Sequence, residues 1–213
     1  GIVKEEQAFM IKGSGVDLNL YCYTPEPENR KVRVLFTARM IVEKGVFVLV
    51  DAALKLKEQY KDKVEFLLCG GLDDNPKAIK EEELKTVCDG EYIQWLGYRT
   101  DVLELLKSCH IVAFPSYYKE GLPKSLIEAT AVGRPIVTTN SIGCKETVID
   151  GYNGYLIPIK DSDTLAERLK ILFEDEGLRQ NMGRNSRMLA EKDFSIENVI
   201  QKHLEIYNQL SKA

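Results

Sequence analysis

Phe114-Pro-Ser-Tyr-Tyr-Lys-Glu120-Gly-Leu-Pro-Lys-Ser-Leu-Ile-Glu128-Ala-Thr-Ala-Val-Gly133-Arg-Pro135 is the stretch that decides how this chain folds. It follows Ile111-Val-Ala-Phe114, an apolar run halted by Pro115, which reads as a buried strand. Leu122, Leu126, Ile127, Ala129 and Thr130 then recur at helical spacing. Pro123 suits the first helical position, Gly133 the position just past the end, and Pro135 closes the boundary. Glu120 therefore falls in a strand-to-helix loop, and Glu128 on the helix about a turn and a half inside. Gly121-Leu122 before Pro123 offers no capping oxygen, so the first N–H groups of the helix are left for water, for Ser116 or for an anion. A phosphate there would gain hydrogen bonds and the favourable end of the helix dipole, and Lys124 adds a charge nearby.

Outward from this unit, strand and helix signals alternate. Val32–Ala38, Val64–Cys69, Tyr92–Leu96, Pro135–Thr138 and Tyr155–Ile157 read as strands. Helices are predicted over 45–57, 77–87, 101–108 (capped by Thr100 or Asp101), 123–132 and 145–149. Three more are predicted between Asp161 and the C-terminus, with Asp161, Asp163 and Ser195 as caps. Apolar strands alternating with helices imply an α/β, Rossmann-like parallel sheet covered on both faces, with extra C-terminal helices. Ligands of such sheets bind at the carboxyl ends of the strands. Thr24–Asn29 is polar and proline-containing and reads as a loop. In the terminal helix Ile196, Val199, Ile200, Leu204 and Tyr207 make one apolar stripe.

Bulk properties narrow the function. The 213 residues suit one domain or two small ones, and 44% hydrophobic with 29% charged residues is ordinary for a globular chain. A net charge of −4 argues against a broad grip on nucleic acid. No apolar stretch is long enough to cross a bilayer, and no signal peptide is visible. The five cysteines are odd in number with no Cys-x-x-Cys pair, which argues against a disulfide scaffold or zinc and for a reducing cytoplasm. The chain starts Gly1-Ile-Val, so a tag remnant or a piece of a longer protein is expected.

Arg39 and Lys44 follow the strand at Val32. Alone they read as solvated loop cations or partners of Glu43; beside an anion-ready helix start they point to a diphosphate. Gly70-Gly71 reads as a tight strand exit. Neither a dinucleotide fingerprint nor a phosphate-binding P-loop motif occurs. Asp73-Asp74 before Asn75-Pro76 reads as a turn rather than a metal site. His110 and His203 read as structural, and Tyr98 stands just past a strand-ending glycine, where it could face a base.

With these residues in place, the chain resembles the C-terminal, donor-binding domain of the retaining family 4 glycosyltransferases of GT-B architecture (glycosyl transferases group 1). The resemblance spans nearly the whole chain. It rests on Gly13-Ser-Gly-Val-Asp17, Arg39…Lys44-Gly45, Leu96-Gly97-Tyr98, the E-x7-E pair Glu120…Glu128, Gly143…Glu146 and Asp150-Gly…Asn153-Gly154, all in order. Each motif is weak alone; together they are specific. Pro123 stands where many relatives have Gly, Thr130 where they have Met, and Ile142-Gly143 where Gly-Gly is common. The Glu-Gly-Leu-Pro variant is similar to that of enzymes building bacterial surface polysaccharides or lipid-linked oligosaccharides.

The resemblance implies roles. Glu128 would bind the ribose hydroxyls and Glu120 would face the donor sugar. Arg39 and Lys44 would neutralise the leaving diphosphate, helped by amides of Gly121, Leu122 and Pro123 and by Lys124, with Tyr98 beside the base. Configuration would be retained by front-face attack, with no protein nucleophile, metal or cofactor. The partners implied are a nucleotide sugar, expected to be a UDP-sugar carrying a hexose or N-acetylhexosamine, and a saccharide or lipid-linked acceptor. That acceptor would be held by an absent N-terminal domain, with peripheral association at the inner face of the plasma membrane. On this reading residues 1–30 are a linker, 31–194 the nucleotide-sugar domain and 195–213 a terminal helix that crosses back to the missing half, and the chain alone binds donor without transferring sugar. A GT-B nucleotide-sugar epimerase or phosphorylase, or a non-catalytic nucleotide-binding module, is the alternative.

Overall fold

The computed structural model describes residues 13–210. Six parallel strands alternate with helices: β1 (Val32–Thr37), α1 (Val46–Tyr60), β2 (Val64–Cys69), α2 (Glu81–Val87), β3 (Ile93–Gly97), α3 (Val102–Ser108), β4 (Ile111–Phe114), α4 (Lys124–Val132), β5 (Ile136–Thr139), β6 (Gly154–Ile157), α5 (Ser162–Glu174), α6 (Glu176–Leu189) and α7 (Ile196–Leu210). The strands lie in the order β3-β2-β1-β4-β5-β6, every pair parallel. β4 and β5 are buried along their whole length, which their continuous apolar or threonine composition permits. The chain winds one way from β1 to β3 and the other from β4 to β6. Right-handed crossovers therefore put the two sets of helices on opposite faces. β1 and β4 are neighbours across this reversal, with Val34 opposite Ile111 and Leu35 opposite Val112. The crevice outside their carboxyl ends is where a sheet of this type takes its ligand.

The strands fall within a residue or two of their predicted bounds. The helix expected from Lys77 begins only at Glu81. Its first residues are held elsewhere: Lys77 O accepts from Val42 N–H at 3.0 Å and Ile79 N–H donates to Met40 O at 2.8 Å, which keeps them extended. Asp101 precedes α3 as expected, yet its side chain caps nothing, because its carboxylate takes both donors of the Arg99 fork at 2.7 and 2.5 Å. Residues 145–147 form a single 3-10 turn rather than a helix to 149. Asp161 caps α5 and Ser195 caps α7, as anticipated; Asp175, unanticipated, caps α6.

The segment 13–30 is pinned to the domain. Val16 exchanges backbone hydrogen bonds with Phe194 and Ile196, and Thr24 N–H donates to Val132 O. Arg134, 1% exposed, donates to the carbonyls of Leu106, Thr24 and Pro25, so one buried guanidinium stitches this segment to α3. Arg179 grips Glu26 at 2.5 Å in the same way. Of the predicted stripe on α7, Val199 is buried, while Ile200, Leu204 and Tyr207 are half or more exposed. Cys69, Cys109 and Cys144 are buried free thiols. Among the described residues no helix is long and apolar enough to cross a membrane.

Candidate donor-binding cleft

Two glycines with left-handed backbone build the crevice. Gly45, at φ 87°, starts α1 where a side-chain carbon would sit 2.1 Å from Pro115 O, so the exits of β1 and β4 touch. Gly143, at φ 86°, lies against the loop of Glu120, its absent Cβ 1.9 Å from Gly121 O and 2.8 Å from Glu120 O. These approaches bring Lys44 Nζ to 2.5 Å from Glu120 Oε1, with both side chains close to nine-tenths buried (12% and 11% exposed). The same ammonium stands 4.6 Å from the Tyr118 ring, and Ser116 Oγ lies 3.1 Å from Glu120 Oε1. Ser116 thus turns to Glu120 and does not cap α4.

The start of α4 is bare. Pro123 occupies the capping position, one residue earlier than predicted, with extended backbone (φ −62°, ψ 119°) and no side-chain cap. No acidic residue sits in the first turn, and Lys124 does. The partial positive charge of the helix end is therefore uncompensated on the protein side.

Two cavities of about 230 Å³ each open beside this helix start. One is lined by Lys44, Glu120, Pro123 and Lys124, the other by Gly70, Gly71, Tyr98, Arg99, Val102 and Glu128. Thr37, Ala38, Arg39 and Ser125 line both, so the two adjoin at the end of β1. Thr37 Oγ1, buried at this junction, has no hydrogen-bond partner among the described residues. Its hydroxyl faces the end of β1, where the two cavities adjoin. Arg39 is 60% exposed and pairs at 2.7 Å with Asp73, not with Glu43, which takes Lys77 instead. Asp73 also accepts from Asn75 N–H; that bond and Arg39 hold its pKa below the usual carboxylate range.

Glu128 is 8% exposed, and burial raises its pKa; Tyr21, donating to Oε1 at 2.9 Å, and Lys124, 3.8 Å from the same oxygen, work against that rise. A buried carboxylate on a cavity wall costs stability unless a ligand uses it. Behind the second cavity Trp95 Nε1 donates to Gly70 O at 2.9 Å.

The sequence-predicted residues thus divide. Arg39, Lys44, Glu120, Pro123 and Lys124 share one cavity; Arg39, Glu128 and Tyr98 share its neighbour. Gly121 and Leu122 line neither: the Gly121 carbonyl packs on Gly143, and the Leu122 side chain packs beside Gly13. Sequence reasoning missed Tyr21, Thr37, Asp73 as the partner of Arg39, and Ser125. Tyr21 precedes Glu128 by 107 positions, a pairing no local spacing reveals.

A larger cavity, about 700 Å³, lies at the other end of the sheet, near the start of β1 and beside His110. Its buried polar groups are already satisfied. Arg179 holds Glu26, and His110 Nδ1 accepts from Arg33 N–H at 2.9 Å, with burial pushing that imidazole down to about 4 and keeping it neutral. The residues singled out from the sequence as site candidates, Gly121 and Leu122 apart, lie in the smaller pair instead.

Comparison with known proteins places the chain in a family. The family model described as glycosyl transferases group 1 matches residues 24–188. The chain is 35% identical, over 99% of its length, to an N,N'-diacetylbacillosaminyl-diphospho-undecaprenol alpha-1,3-N-acetylgalactosaminyltransferase of Campylobacter jejuni, of which it covers 56%. Among solved structures, Anabaena HepE, in complex with UDP and glucose, superposes with a TM-score of 0.79 at 24% identity, over 91% of this chain and 55% of that one. The C-terminal domain of a group 1 glycosyl transferase, LpcC from Francisella tularensis, superposes with a TM-score of 0.72 at 23% identity, over 85% of this chain and 100% of that one. The chain therefore spans little more than half the length of the curated relative. By the family model and by identity along nearly its whole length, the chain belongs to the glycosyl transferases group 1 family.

Proposed function

We propose that this chain is the donor-binding half of a retaining glycosyltransferase. It holds a nucleoside-diphosphate sugar, foremost a UDP-sugar, and the longer protein moves its hexose or N-acetylhexosamine to a polysaccharide or lipid-linked acceptor. One observation carries the reading: two adjoining cavities, each with a carboxylate, meet at a bare helix start beside Arg39. A nucleoside diphosphate sugar has the matching order of parts. Its ribose and base lie on the side of Glu128 and Tyr98, its diphosphate at the junction, and its sugar on the side of Glu120.

The chemistry follows from charge. As the bond from the sugar's anomeric carbon to the diphosphate breaks, negative charge grows on the leaving oxygen and positive charge on the sugar. Arg39, Lys44 and the amides of α4 stabilise the first, and the Glu120 carboxylate faces the second. Lys44 and the amides of α4 are held in place before reaction, so little reorganisation opposes the step there. The scheme needs no metal, cofactor or protein nucleophile. The printed name of the Campylobacter relative supports a lipid-linked acceptor, and the UDP bound to HepE supports the nucleotide. We place the acceptor on the part of the longer protein beyond this chain, with peripheral attachment at the cytoplasmic membrane face where a lipid-linked acceptor lies. Residues 31–194 are the donor domain, 1–30 its lead-in and 195–213 the helix returning to the other half.

Calorimetric titration of the chain with UDP, UDP-glucose and UDP-N-acetylgalactosamine tests this reading. Binding is expected, weakened roughly tenfold or more by Glu128→Ala, since hydrogen bonds to a charged group contribute about 1.5–3 kcal/mol. No uptake of any of the three at millimolar concentration refutes the proposal. Transfer by the longer protein, assayed with sugar nucleotide and lipid-linked acceptor, is expected to fail in Glu120→Ala.

A further inference from the structure

Tyr21 lies outside every motif that marks this family in the chain and lines neither small cavity, yet its side chain touches Glu128, which lines the second. Its hydroxyl donates to Glu128 Oε1 at 2.9 Å. The residue is held on three sides. Its N–H donates to Asp17 O at 2.9 Å, and its carbonyl accepts from the Arg187 guanidinium of α6 at 2.8 Å. Its ring packs against both hydrophobic clusters, the main core and the smaller one around Val16, Ile127 and Phe194. The turn before it is set by the Asp17 carboxylate, which accepts from the N–H groups of Asn19 and Leu20. A hydroxyl on so fixed a base is a directional constraint on the carboxylate it touches.

We infer that Tyr21 is the positioning residue for Glu128: it fixes one carboxylate oxygen so that the group presents a single orientation to the ribose of the bound nucleotide. The inference rests on the reading of Glu128 proposed above and adds a residue to it. A free carboxylate on a helix has several rotamers, and each one excluded beforehand is one that binding need not order. The carboxylate keeps acceptor capacity beyond the single direction Tyr21 uses. Burial first, and then the charge and hydrogen bond of Glu128, push the Tyr21 phenol to about 12, so the hydroxyl remains a donor at every working pH. The same bond favours the ionised form of Glu128 against the burial that raises its pKa. Because Tyr21 sits on the segment 13–30, the set of that segment reaches the nucleotide through one hydrogen bond.

The test compares wild type, Tyr21→Phe and Glu128→Ala in calorimetric titrations with UDP and with 2′-deoxy-UDP, from about pH 5 to about pH 8. Wild type is expected to prefer UDP, and Glu128→Ala to lose that preference. Tyr21→Phe keeps the ring and removes only the hydroxyl. It should weaken UDP roughly three- to tenfold, as loss of one hydrogen bond implies, and shrink the preference over the deoxy nucleotide. It should also raise the pH below which UDP binding fades, because Glu128 then takes up its proton more readily. Partial unfolding of the variant would scale both affinities alike, so their ratio still decides. Unchanged affinity, ratio and pH profile in Tyr21→Phe, with the preference lost in Glu128→Ala, would reduce Tyr21 to packing and leave the donor site standing. A preference untouched by Glu128→Ala would overturn both.

Discussion

Lys44 and Arg39 are both site cations, but they are held differently. The Lys44–Glu120 pair is almost wholly buried, whereas Arg39 is 60% exposed where it meets Asp73. An exposed pair contributes about 0–1 kcal/mol, so Arg39 can leave Asp73 at little cost, which suits the proposed role of adaptable partner for a diphosphate. Removing one member of a buried pair strands the other and costs on the order of 3 kcal/mol. Lys44→Ala and Glu120→Ala are each expected to lower the urea-denaturation free energy by about that much, while Lys44→Met with Glu120→Leu recovers most of it. Losses that simply add in the double variant would show that the pair is not coupled. At this scale the sequence was informative where charge follows a strand end, as with Arg39, Lys44 and Glu120. It was silent on Tyr21 and Asp73, whose partners come from distant segments, and the pairing with Glu43 that it left open as one alternative for Arg39 does not form.

Elements were legible where local chemistry decides them. Apolar runs closed by Gly or Pro marked the strands, and a capping Asp or Ser marked the starts of α5 and α7. The bare start of α4 was legible for the converse reason, the lack of any capping side chain before Pro123. Competition from far along the chain was not legible: the backbone pairing of 77–79 with 40–42 delays α2, and Arg99 draws Asp101 away from α3. The connection between β5 and β6 matters to function because Gly143 abuts the Glu120 loop in a left-handed conformation. Gly143→Ala must both strain its own backbone and push that loop aside, at a cost of roughly 1–3 kcal/mol or more. A lower melting midpoint is expected, together with a larger loss of affinity for UDP-sugars than for UDP, measured by calorimetry. Equal losses for both ligands would separate Gly143 from the sugar side.

For the whole molecule, strand order sets the place of the site. The chain reverses its direction of winding between β1 and β4, and the exits of those two strands supply Arg39, Lys44 and Glu120. Parallel, doubly covered architecture could be read from alternation alone; the order of strands could not, since it depends on which crossovers share a face. The chain covers 56% of the Campylobacter relative, and α7 carries Ile200, Leu204 and Tyr207 on an uncovered face. Leu204→Gln with Tyr207→Gln is expected to leave the melting midpoint of this chain nearly unchanged, since exposed positions contribute within about 0.5 kcal/mol. The same change should lower the midpoint of the longer protein, in which we place that face against the other half; equal midpoints there would remove the contact. The chain also has a single tryptophan, and its indole is tethered to Gly70 on the wall of the base-side cavity. With excitation selective for tryptophan over the ten tyrosines, intrinsic fluorescence is therefore expected to change if the proposed nucleotide settles on that wall, so that variants can be ranked optically without any dye.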